Sequence, residues 1–364
     1  MKNSIYISQH VPDELVAKYE LSQAANNFCK NIVDLDYFSI CLSIPPSNVD
    51  NKFKPFIDAN SHVKYHVCRV FPHKGLFRIV NCILDNLWIY YRLLCLKEHK
   101  VWWYNIYSGN LIAYLLSRFL SKKKNFVLLA DYNPNRYNNI LGKFILSSLK
   151  SANGIISLSA RCSNVNKNFM SIPGIIPSIK IQKKKGVLHS NAFLLSGTLN
   201  ENTGLGLAIE VFKQLPTVQL YMTGILSIDK KQEIEGIEKQ CPNIHYLGFM
   251  ENYQDYLNLL SSVDYVLSLR NPKSPVNTYN FPSKILETLA YNKIVISTIK
   301  YPELKGINYI ISKYDVNELV TLIKDILSSK MDDKINSCLD NSSILSQIVT
   351  EQAWIKAFEK IENK

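Results

Sequence analysis

Four residues in the stretch YNFPSKILETLAYNKIVIST, residues 279–298, combine side-chain types and spacing that could hold an anion. Pro282 suits the first position of a helix, because its missing N–H would lack a partner there anyway. Ser283 and Lys284 then fall in the first turn, where free N–H groups and the positive end of the helix dipole attract anions. Glu287 lies one turn further on, so it can share a face with Ser283 and accept hydrogen bonds from hydroxyls. This pattern predicts a phosphate site; an ordinary surface helix with a proline start is the alternative.

Apolar runs that alternate with helix-like segments surround this stretch and would have to position it. In the first half, the predicted strands are 4–8, 37–43, 101–107, 126–132 and 154–159, with a helix at 111–120. In the second half, the predicted strands 192–199, 218–224, 244–249 and 265–270 alternate with helices at 205–215, 229–240 and 253–263. This alternation indicates parallel sheets, in which ligands bind at the carboxyl ends of the strands.

A segment rich in proline and lysine, residues 171–186, interrupts the pattern and predicts an interdomain linker. We therefore predict an α/β protein with two Rossmann-like, doubly wound domains that face each other across a cleft. The expected domains are 1–178 and 191–345, joined by a linker at 179–190 and followed by a C-terminal helix at 346–364 that can pack back on the first domain. The chain has 364 residues and 47% hydrophobic residues, enough for two cores.

The cysteine content and the apolar runs indicate where in the cell the protein is expected. Eight cysteines occur without a Cys-x-x-Cys pair or a histidine cluster at zinc-ligand spacing, which predicts small buried hydrophobes in a reducing cytoplasm. The N-terminal residues lack the apolar core of a signal peptide. The most apolar run, 75–96, contains Arg78, Asp85 and Arg92, which argues against a membrane span. We predict a cytoplasmic protein.

The net charge of +12 lies entirely in the first half of the chain. Residues 1–180 hold 22 Lys and Arg against 10 Asp and Glu, whereas residues 181–364 hold 20 of each kind. This asymmetry indicates an acidic partner, such as an anionic membrane surface, a pyrophosphate-bearing acceptor or nucleic acid; solubility alone is the alternative. Aromatic and basic residues interleave over 87–104, and Lys122 to Lys124 follow the segment 111–120, which favours peripheral binding at the inner membrane face. No nucleic-acid-binding motif is present, so nucleic acid is not expected as a partner.

Three stretches of the second half carry a family resemblance. They are LLSGTLNENTGLGLAIEVFKQLPTVQLYMTGILS, IHYLGFMENYQDYLNLLSSVDYVLSLRNP and the opening stretch. They resemble the donor domain of family 4 glycosyltransferases of the GT-B fold, well over 192–325 and more loosely over 126–177. The Phe-Pro-Ser-Lys version is similar to a subgroup that builds bacterial surface polysaccharide, such as the O-antigen of lipopolysaccharide or capsule. The resemblance implies a retaining transferase with a nucleotide-sugar donor, a lipid-linked oligosaccharide acceptor and no cofactor.

The family's nucleotide-sugar motif is matched in part. Phe281, Pro282 and Glu287 match it, but Tyr279 stands in the place of its first glutamate, which normally helps to hold the donor sugar. The resemblance implies that Glu287 accepts hydrogen bonds from the ribose hydroxyls of the donor.

The family's usual basic pair, in the loop after the first donor-domain strand, is also replaced. Thr198 and Thr203 occupy those positions. The resemblance then implies that Arg270, at the end of the predicted strand 265–270, and Lys284 supply the positive charge against the diphosphate. The further expected donor-binding residues are Gly197, Thr198, Gly224, Phe249 and Ser283. For the two glycines, ordinary turns are the alternative.

The implied reaction places negative charge on a departing nucleoside diphosphate, and fixed cations stabilise that charge. The expected catalytic residues are Arg270, Lys284 and Asp131, which ends the predicted strand 126–131; for Asp131, a helix cap or a turn is the alternative. His10 is a weaker candidate. No Asp-x-Asp motif occurs, so metal independence is expected. Two other functions remain open: a GT-B sugar-nucleotide epimerase, and a non-enzymatic protein that binds polyanions through residues 121–125.

Overall fold

The chain forms two compact units. The computed structural model describes residues 4–19, 21–44, 63–65, 75–176 and 191–364. The first unit contains residues 1–175 and 351–364, and the second contains residues 176–350. The linker predicted at 179–190 lies outside the described residues.

The first unit is built on a seven-stranded parallel sheet with the order β3-β2-β1-β4-β5-β6-β7. Its strands are β1 (Ser4–Ser8), β2 (Ile40–Ser43), β3 (Val63–Tyr65), β4 (Lys100–Tyr104), β5 (Lys124–Leu129), β6 (Gly154–Ser157) and β7 (Phe169–Ser171). Its helices are α1 (Asp13–Lys18), α2 (Gln23–Val33), α3 (Leu76–Cys95), α4 (Leu111–Leu120) and α5 (Ile140–Ser151), with the last helix of the chain, α14 (Glu351–Glu362). Across the described ranges, no helix combines the length and the apolar character that a bilayer span requires.

The second unit repeats this plan with six parallel strands in the order β10-β9-β8-β11-β12-β13. Its strands are β8 (Ala192–Thr198), β9 (Gln219–Ile225), β10 (Ile244–Tyr246), β11 (Tyr265–Ser268), β12 (Ile294–Ser297) and β13 (Ile310–Ile311). Its helices are α6 (Leu205–Lys213), α7 (Ile228–Gln240), α8 (Tyr253–Ser262), α9 (Pro275–Tyr279), α10 (Lys284–Ala290), α11 (Val316–Leu327), α12 (Asp332–Cys338) and α13 (Ser342–Ile348).

The strand orders confirm the predicted α/β class with two doubly wound parallel sheets. In each sheet the order reverses direction beside the first strand, next to β4 in one unit and β11 in the other. Helices therefore cover both faces, and the central strands are apolar on both sides, as in the fully buried run of β12. Ligands of such sheets bind where the order reverses, outside the carboxyl ends of the strands.

Several predicted elements extend beyond the observed ones. The predicted strand 265–270 ends at Ser268, although Leu269 remains buried, because its side chain packs in the core after the strand pairing has stopped. The helix predicted to begin at Pro282 begins at Lys284 with Ser283 as its N-cap residue. Pro282 is itself buried, so packing rather than a helix start explains this proline.

The prediction of buried cysteines is correct for Cys29, Cys41, Cys162 and Cys338. It is wrong for Cys95, which is exposed. Cys95 is the last residue of α3, and many apolar side chains of that helix also point away from the unit.

The final helix, α14, completes the core of the first unit. Trp354 and Phe358 are fully buried there, and Phe358 packs edge-on against Trp102 of β4 at 4.7 Å between ring centroids. The indole N–H of Trp354 donates to the Gly174 carbonyl at 2.8 Å. Residues at both ends of the chain therefore share one core.

A buried carboxylate fixes α14 against the sheet. Glu362 Oε1 accepts from the Ser4 hydroxyl at 2.9 Å and from the Trp102 indole N–H at 2.7 Å. Glu362 Oε2 forms an ion pair with Lys100 Nζ at 2.7 Å. Because a buried charge is stable only when it is paired and hydrogen-bonded, these donors and the carboxylate depend on each other.

Removing this carboxylate should destabilise the first unit. We expect Glu362→Ala to lower its free energy of unfolding by about 3 kcal/mol, because Lys100 and Trp102 lose their acceptor in a buried place. Glu359→Ala is the matched control, since Glu359 is exposed on the same helix. Chemical denaturation followed by the fluorescence of the buried tryptophans measures both, and equal stabilities of the two variants would contradict the role given to Glu362.

Candidate functional site

Lys284 lies at the carboxyl edge of the second sheet. The aliphatic part of its side chain packs beside Gly197, near the end of β8: a Cβ atom on that glycine would be 3.5 Å from Lys284 Cε. Its ammonium group lies over the ring of Tyr256, 4.2 Å from the centroid. Burial lowers the pKa of Lys284, and the nearby Glu287 opposes that shift. Within the described part of the chain, no carboxylate forms an ion pair with Lys284.

Glu287 is surrounded by tyrosines. The hydroxyl of Tyr253, the first residue of α8, donates a hydrogen bond to Glu287 Oε1. Burial, followed by the charge of Glu287, raises the pKa of Tyr253 and of Tyr256, so both remain protonated donors near neutral pH. The Tyr256 hydroxyl is also 3.5 Å from Ser196 Oγ. One helical turn separates the two tyrosines, and this spacing was the available sequence signal for residues that the sequence analysis did not name.

Arg270 is held in place by a side-chain amide. Its Nη1 donates to Asn277 Oδ1 at 3.0 Å. Asn277 is buried in α9, and its Nδ2 donates to the carbonyls of Asn202 at 2.7 Å and Asn271 at 3.0 Å. The Arg270 carbonyl accepts from Thr298 Oγ1 at 2.7 Å. Asn277 is a supporting residue that sequence reasoning missed, because its partners lie in two different loops, one of them 75 residues away in sequence.

The loop after β8 is closed by hydroxyl and backbone contacts where the family resemblance leads one to expect basic side chains. Thr203 Oγ1 donates to the Thr198 carbonyl at 2.7 Å and accepts from the Asn200 N–H at 3.0 Å. Gly204 adopts the left-handed conformation with φ 81°, and a side chain there would collide with the Leu269 carbonyl after β11. The two loops are thereby packed together, which places Arg270 and the end of β8 at the same edge of the sheet.

The predicted glycines have different structural reasons. A Cβ atom on Gly224 would overlap the Gly197 carbonyl oxygen, so Gly224 lets β8 and β9 approach each other. Gly197 has φ 124°, which favours glycine, and a Cβ there would only touch the Lys284 side chain at ordinary contact distance. Strand packing therefore explains Gly224 without a ligand, whereas Gly197 belongs to the surroundings of Lys284.

Of the remaining predicted donor residues, one is buried in the core and the others are exposed or half-buried. Phe281 is buried and packs edge-on against Tyr301 at 5.3 Å between ring centroids, so it anchors the segment before α10. Ser283 is exposed, and its side chain makes no capping hydrogen bond. Phe249 is 48% exposed after β10, Thr198 is exposed, and Tyr279 ends α9 half-buried.

The first-unit candidates lie at the carboxyl ends of its strands. Asp131 follows β5 and is exposed; its N–H donates to Asn105 Oδ1 at 3.3 Å. Asn105 follows β4 in the left-handed region, with φ 53°, and also accepts from the Ala130 N–H at 2.8 Å. His10 is buried after β1, and burial lowers its pKa to about 4, so it is neutral at pH 7. Among the described residues, no cluster of three His, Cys, Asp or Glu side chains could hold a metal ion.

The sequence matches no family model and no curated protein. Solved structures do resemble the chain. Anabaena HepE in complex with UDP has a TM-score of 0.69 at 13% identity, and a glycosyltransferase from Rickettsia africae has 0.68 at 12%, each covering 100% of both chains. Trehalose-6-phosphate synthase from E. coli, bound with UDP-2-fluoro glucose, has 0.68 at 10% and covers 98% of both chains. At these identities the likeness shows the fold, and the predicted GT-B fold is confirmed.

Three glycine substitutions should separate strand packing from the surroundings of the lysine. Gly224→Ala is expected to destabilise the second unit by about 3 kcal/mol, because two strands must move apart. Gly197→Ala should destabilise by about 1 kcal/mol through its positive φ alone, since the nearest Lys284 atom lies at ordinary contact distance.

Gly236→Ala is the control. Gly236 is exposed in α7 with open space around it, so the alanine should stabilise by about 0.5 kcal/mol. Denaturant titration of the three variants checks this order. A Gly224→Ala protein as stable as Gly236→Ala would contradict the strand-packing explanation.

Proposed function

We propose that this protein is a retaining, metal-independent glycosyltransferase that uses a nucleotide-sugar donor. The observation that carries the proposal is Lys284: it is a partly buried cation that no carboxylate of the described residues pairs with, and an aromatic ring lies beneath it. Desolvation disfavours the charged form of such a lysine, and an arriving diphosphate would supply the missing opposite charge. Arg270 follows the neighbouring strand β11 by two residues, and Asn277 orients it.

These residues divide the work of the proposed reaction. Lys284 and Arg270 would stabilise the negative charge that grows on the leaving nucleoside diphosphate, and they are already fixed in place before the reaction. Glu287 would accept hydrogen bonds from the ribose hydroxyls, and the Tyr253 hydroxyl holds its carboxylate in position. Retention follows the family resemblance, in which the leaving phosphate assists the acceptor hydroxyl. Asp131 is proposed to contact the sugar or the acceptor.

The bound ligands of similar proteins indicate which donors to test first. HepE was crystallised with UDP, and the E. coli synthase with UDP-2-fluoro glucose. A UDP-sugar is therefore the first donor, ahead of GDP- and TDP-sugars. We propose a polyprenyl-diphosphate-linked oligosaccharide as the acceptor, in the synthesis of O-antigen or capsule at the inner face of the cytoplasmic membrane. The presence of a trehalose-6-phosphate synthase among similar structures makes a sugar phosphate the acceptor to test beside it.

Product analysis with a radiolabelled sugar nucleotide tests the function. Transfer of label to the lipid-linked or sugar-phosphate acceptor supports it. Recovery of an isomerised sugar nucleotide would indicate an epimerase instead. Absence of both, together with tight binding to polyanions, would indicate the non-enzymatic alternative.

Each of the two cations should be needed for turnover. We expect Lys284→Ala and Arg270→Ala to lower kcat about a hundredfold, because each removes a fixed contact to charge that develops in the transition state. Lys273→Ala is the control, since Lys273 is an exposed cation three residues beyond Arg270. Steady-state kinetics on folded, purified variants decides the matter. Wild-type rates in either variant would remove that residue from the reaction.

Activity should survive chelation. The proposed site neutralises the diphosphate with two side-chain cations, and the sequence lacks an Asp-x-Asp motif. We expect unchanged kcat/KM in excess EDTA, measured with the same donor and acceptor. Complete loss of activity that returns with magnesium or manganese would mean that a metal ion, rather than Lys284 and Arg270, meets the phosphates.

A further inference from the structure

Helix α3 carries many of its apolar side chains on the outside of the first unit. Six of them lie three or four residues apart and form one stripe: Leu76 (74% exposed), Ile79 (58%), Ile83 (41%), Leu87 (48%), Tyr91 (61%) and Leu94 (54%). At 1.5 Å per residue this stripe is about 27 Å long. Globular proteins place such a stripe against their core, so its exposure calls for a partner.

The opposite face of α3 is buried: it carries the apolar residues Ile89 and Leu93 together with polar residues that fix the orientation of the helix. Asn81, Asp85 and Asn86 are all buried. The Asn86 side chain donates to the Gly109 carbonyl at 2.8 Å and accepts from the Ala113 N–H at 2.8 Å, joining α3 to the first turn of α4. Rotating α3 to bury its apolar stripe would break these hydrogen bonds inside the protein. The outward direction of the stripe is therefore set by specific contacts.

The neighbouring helices extend the apolar surface. The hydroxyl of Tyr114 in α4 donates to the Ser148 carbonyl in α5 at 3.1 Å, so α3, α4 and α5 are successive neighbours in one layer. The exposed apolar residues of α4 and α5 are Ile112, Phe119, Leu120, Ile140, Leu141 and Phe144. We call the exposed apolar residues of α3, α4 and α5 the outer layer face.

The charge around this face favours an anionic lipid surface over another copy of the chain. Residues 75–152 contain eleven Lys and Arg but three Asp and Glu, and one of those acids, Asp85, is buried. Two identical faces of this composition would repel each other, whereas lipid phosphates would attract them. Exposed apolar side chains beside exposed lysines are the pattern of a protein surface that rests in the headgroup region.

A cavity at the C-terminal end of the α3 stripe is lined by both apolar and basic side chains. Its volume is about 580 Å³, and its lining includes Leu94, Lys97, His99, Leu120 and Lys122. Lys123 also lines it, but its Nζ donates to the carbonyls of Leu96, at 2.8 Å, and Glu98, so it holds the wall in place. The lysine cluster at 122–124 thus consists of one anchoring residue between two exposed ones.

We propose that the outer layer face docks on an anionic lipid bilayer. The α3 stripe would lie at the boundary between headgroups and acyl chains, and lipid phosphates would bind at the cavity lined by Lys97 and Lys122. This rests on the membrane part of the proposed function and assigns it to a surface. The hydrogen bonds of Asn86 to Gly109 and to α4 already hold the stripe outward, so docking requires no rearrangement of α3.

Flotation of the full chain with lipid vesicles tests the proposal. Vesicles of phosphatidylcholine mixed with phosphatidylglycerol should bind the wild type at low salt, and vesicles of phosphatidylcholine alone should bind it much more weakly. Ile79→Gln with Leu87→Gln should reduce binding at least tenfold. Lys122→Gln with Lys124→Gln should reduce it about fivefold per lysine and make it less dependent on salt.

Matched controls come from the second unit. Ile228→Gln changes a residue that is 80% exposed on α7, and Lys231→Gln with Lys239→Gln removes two exposed lysines from the same helix. These variants should bind vesicles like the wild type. Circular dichroism and sedimentation velocity accompany every variant, so that loss of fold or a change of assembly is seen directly.

Transfer to a water-soluble acceptor separates this proposal from the proposed function. Vesicle binding that needs the outer layer face, in a protein without any transferase activity, leaves the surface assignment standing and removes the function. Normal transfer by a wild type that stays unbound at low salt overturns the surface assignment. It is also overturned if the wild type is a dimer that Ile79→Gln with Leu87→Gln dissociates, since the face would then join two copies.

Discussion

The buried carboxylate of Glu362 is the contact on which the organisation of the chain depends. Its partners, Ser4, Lys100 and Trp102, belong to β1 and β4, the two strands at the centre of the first sheet. Since a buried charge must keep its partners, these strands are complete only when the last helix has returned to them. In sequence, the second unit, residues 176–350, is therefore an insertion into the first.

The sequence predicted the fold well because parallel sheets make a strong local signal. Strands buried on both faces appear as short apolar runs, and the helices between them show three- and four-residue spacing. The predicted strand 4–8 and the predicted helix 111–120 coincide with β1 and α4. Most predicted strands run too far at their carboxyl ends, where burial continues beyond the hydrogen-bonded ladder, as at Leu269, and the strand predicted at 37–43 begins three residues before β2. An apolar run indicates which residues are buried, but it does not indicate where the hydrogen bonding between strands ends.

The candidate site was predictable only where one residue type carries the information. Lys284, Arg270 and Glu287 stand out as charges among apolar neighbours, and the family resemblance gave them roles. Tyr253 and Asn277 could not be found in this way, because both are uncharged and each bonds to a residue distant in sequence, Glu287 for Tyr253 and Asn202 for Asn277. Pro282 was misplaced for the same reason. Next to Phe281, which packs on Tyr301, it is held by tertiary contacts that a local helix-start rule does not include.

Lys284 and helix α3 present the same physical problem at two scales. In each unit, one group lies in surroundings that suit it poorly: a charged ammonium away from water in one, and apolar side chains in water in the other. The Lys284 ammonium is desolvated beside an aromatic ring and forms no ion pair within the ranges that the structure describes. The α3 stripe faces solvent because buried asparagines hold the other side of the helix. A diphosphate would stabilise the lysine by pairing with its charge, and a bilayer would stabilise the apolar stripe by removing it from water. We propose that the chemistry of each group selects its partner: a small anion at the sheet edge of the second unit, and a lipid surface along the helices of the first.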